Sequence, residues 1–140
     1  MWRLASALLS CALFSVILLA GPTPEARAAV SGQAVVDDAR SYIGTPYGAY
    51  GMTCSGFTSA VFADLGVYLP DTPDAQYAYG VPSDAKAGDL VLFDEHGYGI
   101  SHVGIATGYG TVIRASTYYG AVVESPMEYI PDYVGAVDAY

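Results

Sequence analysis

At 140 residues, 53% of them hydrophobic and 14% charged, the chain carries enough apolar side chain for one small packed domain and too little charge for a disordered one. The charge is unbalanced, and a formal net charge of −9 argues against nucleic acid and anionic membrane or polymer surfaces as electrostatic partners. Two cysteines and two histidines that share no ligand spacing offer no metal site and imply no cofactor.

The first residues read as a leader. Met1-Trp2-Arg3 is a short cationic start, Leu4 to Ala20 is almost wholly apolar, and Gly21-Pro22-Thr23-Pro24 breaks the run before Ala26-Arg27-Ala28. That layout predicts a secretory signal peptide over residues 1–28, cleaved near Ala28, because the run is short for a spanning helix and leads into a small-x-small site. Lipidation of Cys11 would cut the apolar segment in half. Removal of the leader takes Cys11 with it and leaves residues 29–140 as one domain, secreted or periplasmic, with no membrane contact of its own. Three strong cations then remain, Arg40, Lys86 and Arg114, and Cys54 becomes an odd cysteine in an oxidising compartment. Such a cysteine either pairs between molecules or is a reactive thiol. All 13 tyrosines lie beyond the leader. Their flat faces and polar tips suit a sugar or peptide groove, although core and rim packing is the ordinary expectation for most of them.

Past the leader, Ser31 can cap a helix in which Ala34, Val35, Ala39, Tyr42 and Ile43 share a face, ending at Gly44. Gly44-Thr45-Pro46-Tyr47-Gly48 through Gly51 is a breaker-rich loop. Cys54 to Leu65 is helical again, with Phe57, Val61, Phe62 and Leu65 on one face and Gly66 as the stop. A short third helix is expected over Asp74 to Tyr79. The period then shortens. Asp89–Phe93, Ser101–Thr107, Thr111–Ala115, Ala121–Glu124 and Tyr133–Val137 read as strands separated by glycine turns. Helices followed by strands predict an α+β fold with N-terminal helices packed on a small antiparallel sheet.

Within this frame Thr53-Cys54-Ser55-Gly56 falls where a loop becomes a helix. Unpaired amides and the positive end of the helix dipole favour a thiolate there, predicting an accessible thiol that ionises below the ~8.5 of free cysteine. Small Ser55 and Gly56 would keep the sulfur and its amides open to a substrate. Ile100-Ser101-His102-Val103-Gly104-Ile105 opens an apolar strand with a histidine. A cysteine at a helix start facing a histidine on the adjoining sheet is what thiol acyl transfer needs, a base beside the nucleophile with oxyanion donors behind. Alone, each residue is as well explained by a small buried cysteine or a satisfied core histidine.

Together the segments resemble the NlpC family of papain-like cell-wall cysteine peptidases. The matching pieces are Ile43-Gly44-Thr45-Pro46-Tyr47, Cys54-Ser55-Gly56-Phe57, Leu69-Pro70 with Gln76, Gly88-Asp89-Leu90-Val91-Leu92-Phe93, Ser101-His102-Val103-Gly104-Ile105 and Ile113-Arg114-Ala115-Ser116 before Val122. Each is short, but the ordered set is specific. The resemblance implies a papain-like NlpC fold and hydrolysis of peptide bonds in peptidoglycan stem peptides, commonly the D-γ-glutamyl–diamino acid bond, by a monomeric wall-associated protein. It implies Cys54 as nucleophile, His102 as general base, Tyr47 beside the sulfur assisting at the oxyanion, and the amide of Ser55 in the oxyanion site.

The chain departs from the family's pattern in two places. Thr53 stands where the family usually has an aspartate implicated in holding a substrate amine, and the short loop from Tyr47 to Cys54 implies an open groove rim. Arg114 stands at the third catalytic position, usually a residue that accepts the His Nδ1–H. A guanidinium only donates, and a cation beside His102 disfavours imidazolium. One accommodation turns Arg114 onto an acid such as Glu124 and leaves a backbone carbonyl or water to orient His102; His96, in the apparent turn His96-Gly97-Tyr98-Gly99, is a poor substitute. The alternative readings are a catalytically weak or inactive homologue that binds wall peptides, and a thiol acyltransferase or amidase acting on another substrate.

Overall fold

The computed structural model describes residues 29–140. The expected leader and cleavage site, residues 1–28, lie outside the described residues. In chain order the elements are α1 (Gly32–Ser41), α2 (Cys54–Asp64), α3 (Pro73–Tyr79), β1 (Val81–Ser83), β2 (Leu90–Phe93), β3 (His102–Ala106), β4 (Thr111–Ser116), β5 (Ala121–Pro126) and β6 (Tyr133–Asp138), with single 3-10 turns at Ala49–Gly51 and Met127–Tyr129. The strands form one antiparallel sheet in the order β1-β6-β2-β3-β4-β5. The expected α+β architecture is present.

Local chemistry accounts for the element boundaries. Ser31 caps α1, its hydroxyl accepting from the Ala34 amide at 3.1 Å. The helix stops at Ser41, earlier than expected, and the chain turns through Gly44 in the left-handed region at φ 94°. Ile43 consequently leaves the helical face and is exposed. Thr53 caps α2, its Oγ1 accepting from the Gly56 amide at 3.1 Å, and α3 carries Pro73 in its first turn. The strand expected at Asp89–Phe93 starts one residue later because buried Asp89 is a turn residue. Its Oδ2 accepts from Ser83 Oγ at 2.6 Å and from the Lys86 amide at 2.8 Å.

Strand β1 has no counterpart in the sequence reading. It is three residues long, largely exposed, and centred on Pro82. A proline that cannot donate to a ladder is tolerated at a sheet edge, and β1 pairs only with β6. The opposite edge is strapped by the loop after α1. The Gly44 amide donates to Val122 O, the Val122 amide to Thr45 O and the Tyr47 amide to Gly120 O, each at 2.9 Å.

Both faces of the sheet are covered. On one, Leu90, Leu92, Val103, Ile105, Ile113 and Val122 pack with Val35, Val36, Phe57, Val61 and Phe62 of α1 and α2 into the main core. On the other, Val91, Phe93, Ala106, Val112 and Ala136 form a smaller cluster under Ile130 and Met127. This second layer explains why β2 reads Leu-Val-Leu-Phe without alternation. No tyrosine is fully buried, and of the expected core and rim packing it is the rim that is present, with Tyr42 and Tyr47 packed against the main core.

A fully buried glutamine ties α3 to the start of α2. Gln76 Nε2 donates to Pro70 O at 2.9 Å and Ser55 O at 3.2 Å, and its Oε1 accepts from Thr58 Oγ1 at 2.7 Å. Gln76→Leu keeps the volume but strands these buried groups. It should lower unfolding free energy by about 1–3 kcal/mol, read as a shifted denaturant midpoint at unchanged slope. An unshifted midpoint would mean the network contributes nothing net.

Candidate active site

The start of α2 meets the start of β3. Cys54 is the first residue of α2, half-buried, and its Sγ donates to the Ser101 carbonyl at 3.8 Å. The backbone amides of Val103, Ser55 and Cys54 act to lower the thiol pKa. Gly56 also lets the preceding loop pack on the helix, since a Cβ there would lie 1.9 Å from Gly51 O. Ser55 has a buried side chain, leaving its amide as the group available at the site.

His102 is the first residue of β3, directly across from Phe93 in the ladder and 6% exposed. The two rings stand 6.0 Å apart. Nδ1 lies 4.0 Å from Glu95 Oε2, while Nε2 is buried with no hydrogen-bond partner. No hydrogen bond joins His102 to the sulfur among the described residues, which is common before a substrate tightens such a pair.

Strand parity decides where Arg114 goes. Ile113 pairs with Glu124 and Arg114 with Val123, so Arg114 and Glu124 point to opposite faces. The turn of Arg114 onto Glu124 is therefore absent. Glu124 instead pairs with Arg40 of α1 at 3.1 Å. Arg114 shares its face with His102, is 7% exposed, donates from Nε to Ser125 Oγ at 3.4 Å, and lies 5.9 Å from the centre of the Tyr119 ring. Gly104 makes room chiefly for Val112, since a Cβ there would lie 2.4 Å from Val112 Cγ1, and would also crowd Arg114 Cβ at 3.3 Å.

Electrostatics follow from this packing. Burial, and then the Arg114 cation, pull His102 down to about 4. Glu95 does not offset this; at 4.0 Å without a hydrogen bond, the contact is not an ion pair at neutral pH. Burial also raises the Cys54 thiol above its ordinary value, outweighing the amides of Val103 and Ser55 that pull it down, and Glu95 adds to the rise. The expectation of an acidified thiol is thus overturned. The resting pair is thiol and neutral imidazole.

Tyr47 faces the same centre, its phenol raised first by burial and then by the neighbouring Cys54 and Glu95. Glu95 is the residue that sequence reasoning missed. It sits in the β2–β3 hairpin with its amide donating to Ser101 Oγ at 3.1 Å, and its charge reaches Tyr47, Cys54 and Arg114. The only available signal was an acid inside the hairpin that delivers His102, which is too common to single out. His96 lies exposed in that hairpin, as expected of a turn.

A thiol at a helix start against a histidine-bearing strand, on helices packed over an antiparallel sheet, is the arrangement of the papain-like thiol hydrolases. The chain belongs to the NlpC/P60 family, whose model matches residues 41–135. It is 41% identical over 127 residues to a "Probable endopeptidase" of Corynebacterium glutamicum, covering 84% of this chain and 59% of the relative. It is 43% identical over 93 residues to the "Gamma-DL-glutamyl hydrolase" of Bacillus subtilis, covering 59% of this chain and 22% of that protein. The chain thus spans a little over half the length of its Corynebacterium relatives. Among solved structures, the NlpC/p60 domain of the peptidoglycan hydrolase SagA superposes with a TM-score of 0.69 at 35% identity, covering 78% of this chain and 99% of that one. The peptidoglycan hydrolase RipB of Mycobacterium tuberculosis gives a TM-score of 0.69 at 28% identity over 86% of this chain and 73% of its own.

The titration of His102 is a direct check. By NMR it should fall near 4, against 6.5 for an ordinary histidine, and Arg114→Met should move it upward. Because the folded value is depressed, the linked stability is present above about 6.5 and is lost as pH falls toward about 4. Arg114→Met should lessen that acid loss. Alkylation of Cys54 should show an inflection above that of free cysteine, and one below it would restore the thiolate reading.

Proposed function

We propose that the protein is a cysteine-type endopeptidase that hydrolyses peptide bonds in peptidoglycan stem peptides, the D-γ-glutamyl–diamino acid bond first among them. The observation that carries this reading is the seat of the Cys54 sulfur, held at the first turn of α2 against the Ser101 carbonyl, next in the chain to His102. The family supports the substrate class, and the named activity of the Bacillus subtilis relative supports the bond. The leader reading of residues 1–28 supports a working chain outside the cytoplasm.

In this mechanism Cys54 is the nucleophile and His102 the general base. Starting from the neutral pair, His102 takes the thiol proton as the sulfur attacks the acyl carbon. The amides of Cys54 and Ser55 hold the developing oxyanion, and the Tyr47 hydroxyl lies beside them. His102 then gives its proton to the leaving amine, the C–N bond breaks, and a thioester remains. Water, losing a proton to His102, releases the acid and restores the thiol. Every step passes through imidazolium, which burial and Arg114 disfavour, so turnover is slow.

A second reading is a stem-peptide binding protein with no turnover. The unpartnered Nε2 of His102 and the cation on its face favour it.

Incubation with defined stem peptides and mass spectrometry of the products distinguishes the two. The wild type should cleave, and Cys54→Ala and His102→Ala should abolish cleavage with unchanged circular dichroism. Cleavage retained by Cys54→Ala would sink the mechanism. Tyr47→Phe should slow it by ~100-fold or less. Arg114→His supplies an acceptor and removes the cation, and should raise kcat roughly tenfold or more, with Arg114→Ala gaining less. Should neither the wild type nor Arg114→His cleave any stem peptide that it binds, the binding reading replaces the peptidase.

A further inference from the structure

Tyr50 is a bulky residue in a glycine's conformation. Its φ of 54° and ψ of 33° lie in the left-handed region, and it stands between Gly48 and Gly51, whose φ values are 80° and 76°. Crowding of Cβ against the following carbonyl makes that conformation costly for an ordinary side chain. The loop's own hydrogen bonds impose it. The Gly48 amide donates to Met52 O at 3.0 Å, the Met52 amide to Ala49 O at 2.9 Å and the Thr53 amide to Gly51 O at 2.8 Å. The ring adds no packing to the fold, since Tyr50 is 101% exposed. Tyr98, Tyr109 and Tyr118 are nearly as bare, but among the described residues the left-handed non-glycines are Tyr50, Ala85 and Asp132. Other exposed rings have neighbours. Tyr118, Tyr119 and Tyr129 line a cleft of about 460 Å³ between Glu95 and Arg114, and Tyr133 packs edge-on against Phe93. A strained backbone that holds a bare ring in solvent points to a partner that meets the ring from outside.

The position of the loop selects that partner. Its Gly51 carbonyl closes on Gly56 at the start of α2, and its Tyr47 lies near enough to Cys54 to feel it. His102 protonates the leaving amine, so the leaving part of the substrate lies toward β3. The acyl part then extends the other way, over this loop. In a stem peptide the acyl part ends in an amide to the lactyl group of an amino sugar. Residues 47–53 carry no charged side chain, and Thr53 Oγ1 is engaged as the cap of α2. The loop therefore offers no carboxylate to a free ammonium. It offers a phenol ring, whose face suits the C–H face of a neutral sugar.

We propose that Tyr50 is a stacking contact for the glycan to which the stem is attached, an N-acetylated amino sugar beyond the acyl end of the peptide. The proposal rests on the stem-peptide reading of the same site and names the form of that substrate, glycan-linked stems in preference to free ones.

The test measures binding to Cys54→Ala, which removes turnover. Its two ligands are a stem tripeptide linked to the N-acetylglucosaminyl-N-acetylmuramyl disaccharide and the same tripeptide acetylated at its N-terminus, which matches the charge. By calorimetric titration the first should bind roughly three- to tenfold more tightly, the range of one aromatic stacking contact. Adding Tyr50→Ala should erase the preference by weakening only the first ligand, and Tyr50→Trp should keep it. Tyr50→Gly should lose the preference yet raise the denaturant midpoint of unfolding, because glycine adopts this backbone without strain. Those opposite signs separate recognition from damage to the fold. Equal binding of the two ligands, a preference that survives Tyr50→Ala, or a lowered midpoint in Tyr50→Gly overturns the proposal. An equal loss for both ligands in Tyr50→Ala overturns it too, and assigns the ring to the peptide. If neither ligand binds, the stem-peptide reading itself fails and takes the proposal with it.

Discussion

The contact on which the site depends is the seating of the first turn of α2 against the first residues of β3. It brings a sulfur from a helix start to the strand that carries an imidazole, residues 47 or more positions apart in the chain. Several otherwise unrelated features serve it. Thr53 fixes where the helix begins, Gly56 lets the carbonyl of Gly51 close on it, and Gln76 holds the Ser55 carbonyl from behind. The same packing strips water from both reacting groups. Desolvation is the largest influence on Cys54 and on His102, and it favours the uncharged form of each. The structure thereby favours a neutral thiol and a neutral imidazole where the sequence pointed to a thiolate.

Arg114 and Glu95 frame that neutral pair. They have opposite signs, stand on different elements, and influence one another across a gap. Arg114 acts against imidazolium and Glu95 against thiolate, so each opposes a different half of the charged pair. A residue at the third position that looks like a defect when only orientation of the base is considered becomes intelligible as one wall of a polar cleft. Packing keeps it there, since Ser125 and Tyr119 hold the guanidinium on the His102 face.

Most of the fold was legible in the sequence because its elements carry local signals. Ser31, Thr53 and Pro73 mark helix starts, and Gly44 and Gly66 mark the turns after two of them. β1 was not legible, since three exposed residues around a proline carry no hydrophobic pattern and are a strand only because β6 lies beside them. Cys54, His102 and Tyr47 could be singled out from motif and order; the sulfur reaches the carbonyl of Ser101, next in the chain to His102, and Cys54 influences Tyr47. The thiol's ionisation could not, because helix-start amides are a local property while burial depends on the whole packed sheet. Glu95 escaped for a similar reason, its place being fixed by a hairpin closed between Ser101 and Phe93. The partner of Arg114 stayed open in the sequence, and the accommodation on Glu124 fails although the strand was correctly placed. Parity within β4 and β5 decided it, and parity needs the register of two strands at once.

The two margins of the sheet have a consequence for recognition. At one margin Pro82 withholds a donor, and at the other the strap from Gly44 to Tyr47 occupies the backbone of Gly120 and Val122, at the end of β5 nearest the site. Neither leaves a free run of amides and carbonyls for an extended peptide to join as a further strand. A chain that docks here is therefore read by the groups that hang from it, and regular main-chain spacing confers no advantage. Peptides of mixed handedness or with linkages through side-chain carboxyls, which could not extend a sheet in any case, lose nothing by comparison with ordinary ones.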